Sequence, residues 1–207
     1  MEEHSRVDRF VDIAGVALIS VAAVLTALSG YQSGRWSGAQ ARFYNVANAS
    51  RIESAESADR DLALTAVDVN LFLHYIDAVE GGNSREAQFI NRRLRPEMRA
   101  AMNAWLATKP FTNPRAPSSP FVMPQYSLRA RAASLRYTAL ASDNFNAALE
   151  ANRHADEFLL LTVIFAAVSF LAGVSTKMTY PRHAIVIGVG MIALIYGIVR
   201  LVALPFQ

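Results

Sequence analysis

The 207-residue chain contains no cysteine. A disulfide framework, a thiolate metal centre and a cysteine nucleophile are therefore excluded. Lysine is nearly missing as well: arginine supplies 18 of the 20 basic residues. The formal net charge of +3 is too small to argue for a nucleic-acid partner. Proline is absent before Pro96, and no glycine occurs between Gly38 and Gly81. Positions 125–172 hold neither. Proline and glycine are the two strongest helix breakers, so both stretches are free to run as long helices. No glycine-rich phosphate loop, nucleophile elbow or His–Glu zinc helix is present, so the chain is read as non-enzymatic and without a cofactor.

What is present is apolar and unevenly placed. Hydrophobic residues make up 53% of the chain, concentrated at 13–31, 158–174 and 184–204. At ~1.5 Å rise per residue, about 20 helical residues cross a hydrocarbon core of ~30 Å. The expected fold is all-α: an integral membrane protein with three transmembrane helices, two of them continuing into an extramembrane helical hairpin or bundle. The expected segments are an N-terminal cytoplasmic stretch 1–11, transmembrane helix 12–31 and extramembrane domain 32–157. A second span at 158–175, a short loop at 176–183 and a third span at 184–204 complete the chain. The lead-in 1–12 is acidic as well as basic, and the first apolar run exceeds the ~7–15 residues of a signal peptide, so it reads as a retained span. Lys177 and Arg182 in the short turn, with Arg6 and Arg9 at the start, favour a cytoplasmic N-terminus and an outward domain; Arg35, Arg42 and Arg153 at the other interface pull the opposite way.

Between the first two runs the pattern is helical. Ala55, Ala58, Leu62, Thr65, Val69, Phe72, Ile76 and Val79 alternate by three and four, the spacing of a coiled-coil or hairpin seam. Trp36, Phe43 and Val46 sit on another register, which predicts a stutter at 48–54. Gly81-Gly82-Asn83 ends this helix, with Ser84 as the next N-cap. A helix over 85–108 is interrupted, or restarted, at Pro96. Five prolines between 110 and 124 make 109–124 an extended loop, and its Phe111, Phe121, Val122 and Met123 predict that it packs on the bundle. Beyond it Leu128, Leu135, Ser142 and Leu149 mark a heptad line, flanked by Ala132, Ala139 and Phe145.

Four groups are candidates for function. Ala22, Thr26, Gly30, Gly34 and Gly38 form a small-residue row one turn apart, repeated by Ser169 and Gly173 in the second span and by Gly190 and Gly197 in the third. Such rows let helices approach closely, within a subunit or between subunits. Glu150, His154 and Glu157 share one helical face where the second span begins, a weak proton or metal candidate beside ordinary interfacial anchoring. Arg200 is the one charge in the third run, suited to snorkelling or to a lipid or ion contact. Arg92, Arg93, Arg95 and Arg99 cluster around Pro96 and could meet anionic headgroups, an acidic partner or their own acidic neighbours.

The run GYQSGRWSGAQA at 30–41, the stretches 95–111 and 117–126, and 157–176 followed by a third apolar run resemble a family of bacterial three-span integral membrane proteins with no assigned activity. The resemblance implies three spans and a bacterial source. It transfers no catalytic residue. Taken together, the expectation is a multi-pass protein of the bacterial inner (plasma) membrane. Its partners would be the lipid bilayer and a homo-oligomer or larger membrane complex, in a scaffold or accessory role. The alternative is a small homo-oligomeric ion channel. Polar residues in the first two runs (Ser20, Thr26, Ser29, Thr162, Ser169) offer only a thin pore lining.

Overall fold

A computed structural model describes residues 2–179 and 182–207, with side chains from residue 13 onward. The charges of the 1–11 segment and Pro181 of the turn therefore lie outside the described side chains. The described residues are helical with no strand: α1 (Glu2–Glu80), α2 (Ser84–Arg93), α3 (Pro96–Ala107), a 3₁₀ turn at Pro120–Val122, α4 (Arg129–Ser175) and α5 (Arg182–Ala203). Three of them, α1, α4 and α5, carry stretches long and apolar enough to cross a membrane. Their outward side chains are large and apolar: Val24 is 67% exposed, Ile192 71% and Val202 76%. A surface of that kind needs a non-aqueous neighbour.

The chain divides into two compact units, Met1–Val46 with Asp143–Gln207, and Ala47–Ser142. Helices α1 and α4 contribute residues to both. In the first unit, Leu18 and Ala22 of α1, Phe158, Leu161, Phe165 and Val168 of α4, and Ile187 and Leu194 of α5 form one buried cluster. The α4–α5 connection is tied by His183, whose Nδ1 donates to the Ser175 carbonyl at 2.6 Å. A carbonyl can only accept, which fixes the ring tautomer at that nitrogen.

In the second unit the core is Leu94, Met98, Met102, Trp105, Tyr126 and Leu128, with Phe72 and Ile76 of α1 packed against it. Helix α1 stops where Gly82 takes φ +70, a conformation open to glycine and costly for other residues. The Asn83 amide then reaches back to the Ala78 carbonyl at 2.8 Å. Asn83, not Ser84, is the N-cap of α2: its Oδ1 accepts from the Glu86 amide, and its Nδ2 donates to the Glu86 carboxylate. Asparagine wins the position because Ser84 already has helical backbone. Pro96 starts α3 as its first residue, where its missing N–H costs nothing. The proline-rich loop packs on the unit through Phe121, edge-on to Phe72 and Tyr126, and through the Pro117 carbonyl, which accepts from the Trp105 indole at 2.7 Å.

The expected seams hold in part: Ala58, Thr65, Val69, Phe72, Ile76 and Val79 of α1 are half-buried and Leu128 is buried, but other positions of the two lines face out. On α1, Leu62 is 67% exposed and Ala55 is exposed, while Asp68 is fully buried. On α4, Leu135 is 67% and Leu149 49% exposed, and the buried positions ahead of Phe158 are Ala141, Ala148, Ala151 and Ala155. Over 141–155 of α4 small residues face inward and the leucines face out, whereas further along the same helix Phe158, Leu161 and Phe165 take the interior. The change of register on α1 comes at the consecutive four-residue steps 39–43–47, ahead of the expected 48–54.

Candidate functional site

The small-residue positions separate into those the chain itself covers and those it leaves open. Ala22 is fully buried. Thr26 turns its hydroxyl back to the Ala22 carbonyl at 2.7 Å. A Cβ added to Gly30 would stand 3.9 Å from the Thr162 hydroxyl, an ordinary contact. At Gly38 the nearest neighbour is its own helix's Arg42, and at Gly34 and Gly173 nothing lies within 4 Å. Ser169 bonds to the Phe165 carbonyl of its own helix. The close approaches fall on α5: a Cβ at Gly190 would meet Leu18 Cδ2 at 2.9 Å, and one at Gly197 would meet Phe165 Cε1 at 2.5 Å.

At the polar end of the first apolar run, α1 is joined to α4 and to the residues after α5. Ser33 donates to the Ala155 carbonyl at 2.9 Å. Gln32, buried, holds Gln207 by both amide groups: its Nε2 donates to the Gln207 carbonyl at 3.1 Å and its Oε1 accepts from the Gln207 amide at 3.0 Å. The Trp36 indole donates to the Pro205 carbonyl at 3.0 Å, and its ring lies 4.6 Å from that of His154. Sequence reasoning passed over Gln32 because a lone glutamine next to an apolar run carries no spacing signal.

Of the Glu150–His154–Glu157 face, His154 and Glu157 lie 3.7 Å apart, and Glu157 also meets Arg153 at 3.7 Å. Glu150 is exposed and joins no ion pair among the described residues. Among the described residues no group of three or more His, Asp or Glu is placed to hold a metal ion. Arg200 is exposed and lines a small recess with Glu157 and Tyr196.

In the second unit the buried Asp68 is the electrostatic centre. Arg95 clasps its carboxylate with two nitrogens, Nε at 3.3 Å from Oδ1 and the terminal nitrogen on Oδ2. Tyr126 donates to Oδ2 at 3.0 Å, and its hydroxyl lies 3.4 Å from that of Thr65. A carboxylate taken fully out of water needs such partners on both oxygens. Burial pushes the Tyr126 phenol above its ordinary value; the Thr65 hydrogen bond and the Arg95 charge oppose the rise, and Asp68 adds to it.

The arginine cluster around Pro96 therefore has separate duties. Arg95 pairs with Asp68, and Arg99 donates to the Arg92 and Leu94 carbonyls at the end of α2, at 2.6 and 2.7 Å. Arg93 lies over the Phe89 ring at 4.3 Å, and Arg92 is exposed. What does gather is a different set. Arg60, Arg95 and Arg129, from α1, the α2–α3 elbow and the start of α4, line one cavity of about 260 Å³. Nearly seventy residues separate the first from the last, so no local pattern could have joined them.

Comparison with protein-family models, curated proteins and solved structures finds no match for the chain.

Proposed function

We propose that the chain is a non-enzymatic, multi-pass protein of the bacterial inner membrane, acting as an oligomeric scaffold or as an accessory subunit of a membrane complex. In this reading α1, α4 and α5 cross the bilayer, and 32–157 forms a helical hairpin and bundle outside it, with a cytoplasmic N-terminus. The observation that carries the reading is how the polar groups of the apolar stretches are used. Ser20, Thr26, Thr162 and Ser169 each bond to a carbonyl of their own helix. Ser29 is the exception, fully buried with no partner among the described residues. Side chains satisfied in this way do not offer a continuous lining to ions, which counts against the channel alternative. The open row at Gly34, with no neighbour within 4 Å, supports contact with another helix outside this chain.

The test is Gly34→Leu, with native mass spectrometry of the protein in a mild detergent. A shift to smaller assemblies is expected. An unchanged distribution removes Gly34 as the oligomer contact, and ion conduction by the purified protein in a planar bilayer would replace the scaffold reading with the channel.

A further inference from the structure

We infer that the cavity lined by Arg60, Arg95 and Arg129 is a binding site for a phosphoryl oxyanion, carried by a small soluble ester or by a lipid headgroup. Arg95 is the fixed member: its guanidinium is held by the buried Asp68, which Tyr126 holds in turn. Arg60 and Arg129 are exposed and have no ion-pair partner among the described residues. A basic surface normally neutralises itself with nearby acids. Here Glu97 is the one acid in the lining, 3.9 Å from Arg95. Counting Asp68 behind Arg95, three guanidinium groups face two carboxylates, which leaves an excess positive charge in the cavity.

The chemistry of the donors selects the ligand. A carboxylate presents two oxygens in one plane, which suits a single arginine fork. Guanidinium groups arriving from three separate elements suit a phosphoryl group, whose oxygens point in several directions; Arg60 and Arg129 bring whole forks, and Arg95 the N–H groups that Asp68 does not take. Ser57 adds a hydroxyl, and Leu64, Leu128 and Ala133 give an apolar wall for the organic part of an ester. At about 260 Å³ the cavity lies below the ~300–1,000 Å³ of drug-sized sites, so the ligand is one headgroup or one small phosphate ester.

Isothermal titration calorimetry on the full chain in neutral detergent tests this, with inorganic phosphate and with a short-chain phosphatidylglycerol as the two probes. Saturable binding of at least one probe is expected. The double variant Arg60→Gln/Arg129→Gln should weaken it by about tenfold or more, with an unchanged melting curve by circular dichroism. Glu97→Gln should tighten it, because the repelling carboxylate is gone. Tighter binding of the lipid than of phosphate assigns the site to headgroups, and the reverse assigns it to soluble phosphates. No saturable binding of either probe, or equal affinity in the wild type and the folded double variant, overturns the proposal.

Discussion

Gly197 of α5 stands against the ring edge of Phe165 of α4, so that a Cβ at 197 would lie 2.5 Å from Cε1 and 2.8 Å from Cζ. Phe165 is itself fully buried, and its ring has little room to retreat. Overpacking of this kind costs about 1–3 kcal/mol. Gly197→Ala is expected to lower the unfolding midpoint in a denaturing-detergent titration. Gly34→Ala, where this chain itself places nothing within 4 Å, should instead stabilise the single subunit by about 0.5–1 kcal/mol, the helix preference of alanine over glycine.

Asp68 and Arg95 illustrate the asymmetry of a buried pair. Deleting one charge strands the other, typically at about 3–5 kcal/mol. Arg95 keeps some solvent access, so Asp68→Ala should fall near the lower end, about 3 kcal/mol. Chemical denaturation followed by Trp105 fluorescence reads the loss. A midpoint unchanged by the substitution would mean that the pair does not organise this unit.

The raised phenol of Tyr126 makes stability depend on pH at the alkaline end. Its folded value lies above the unfolded 10.0, so the folded state holds its proton more tightly. The contribution is complete below pH 10.0 and is lost as pH rises through the folded value. Thermal melts of wild type should fall across that range, and Tyr126→Phe should reduce the slope. Tyr75, raised by burial, leaves a residual slope in the variant.

The inward alanines and outward leucines of α4 give opposite expectations from the sequence pattern. Ala141, 4% exposed, should not accept a larger side chain: Ala141→Leu is expected to cost about 1–3 kcal/mol. Leu135→Gln, on the exposed side, should change the stability of the isolated fold by about 0.5 kcal/mol or less. Thermal melts of the two variants side by side make the comparison. The reverse order would restore the leucine line as the core.

The sequence by itself determined the helices and the three apolar stretches, because these follow from local properties. A run such as 13–31 without charge, a stretch such as 125–172 without proline or glycine, and Pro96 at a helix start each act within a few turns. The packing of the proline-rich loop was legible for the same reason: Phe111, Phe121, Val122 and Met123 are too many apolar side chains for a loop that faces only water. Phe121 does pack inward, while Phe111 and Val122 remain more than half exposed.

Which face of each long helix points inward was decided only by the tertiary structure. Hydrophobicity picked Leu62 and Leu135, but close approach of two long helices favours small side chains, so Ala141, Ala148 and Ala155 took the interior. Asp68 looked like one more surface acid until Arg95 and Tyr126, 27 and 58 residues away, supplied its hydrogen bonds. The four arginines around Pro96 were close in sequence, but the turn between α2 and α3 gave them different partners: Asp68 for Arg95, the Arg92 and Leu94 carbonyls for Arg99 and the Phe89 ring for Arg93. Arg60 and Arg129, adjacent to nothing in sequence, met Arg95 across a cavity because three elements converge there. Contacts of that range depend on the whole packing of the unit, and no window of the chain contains them.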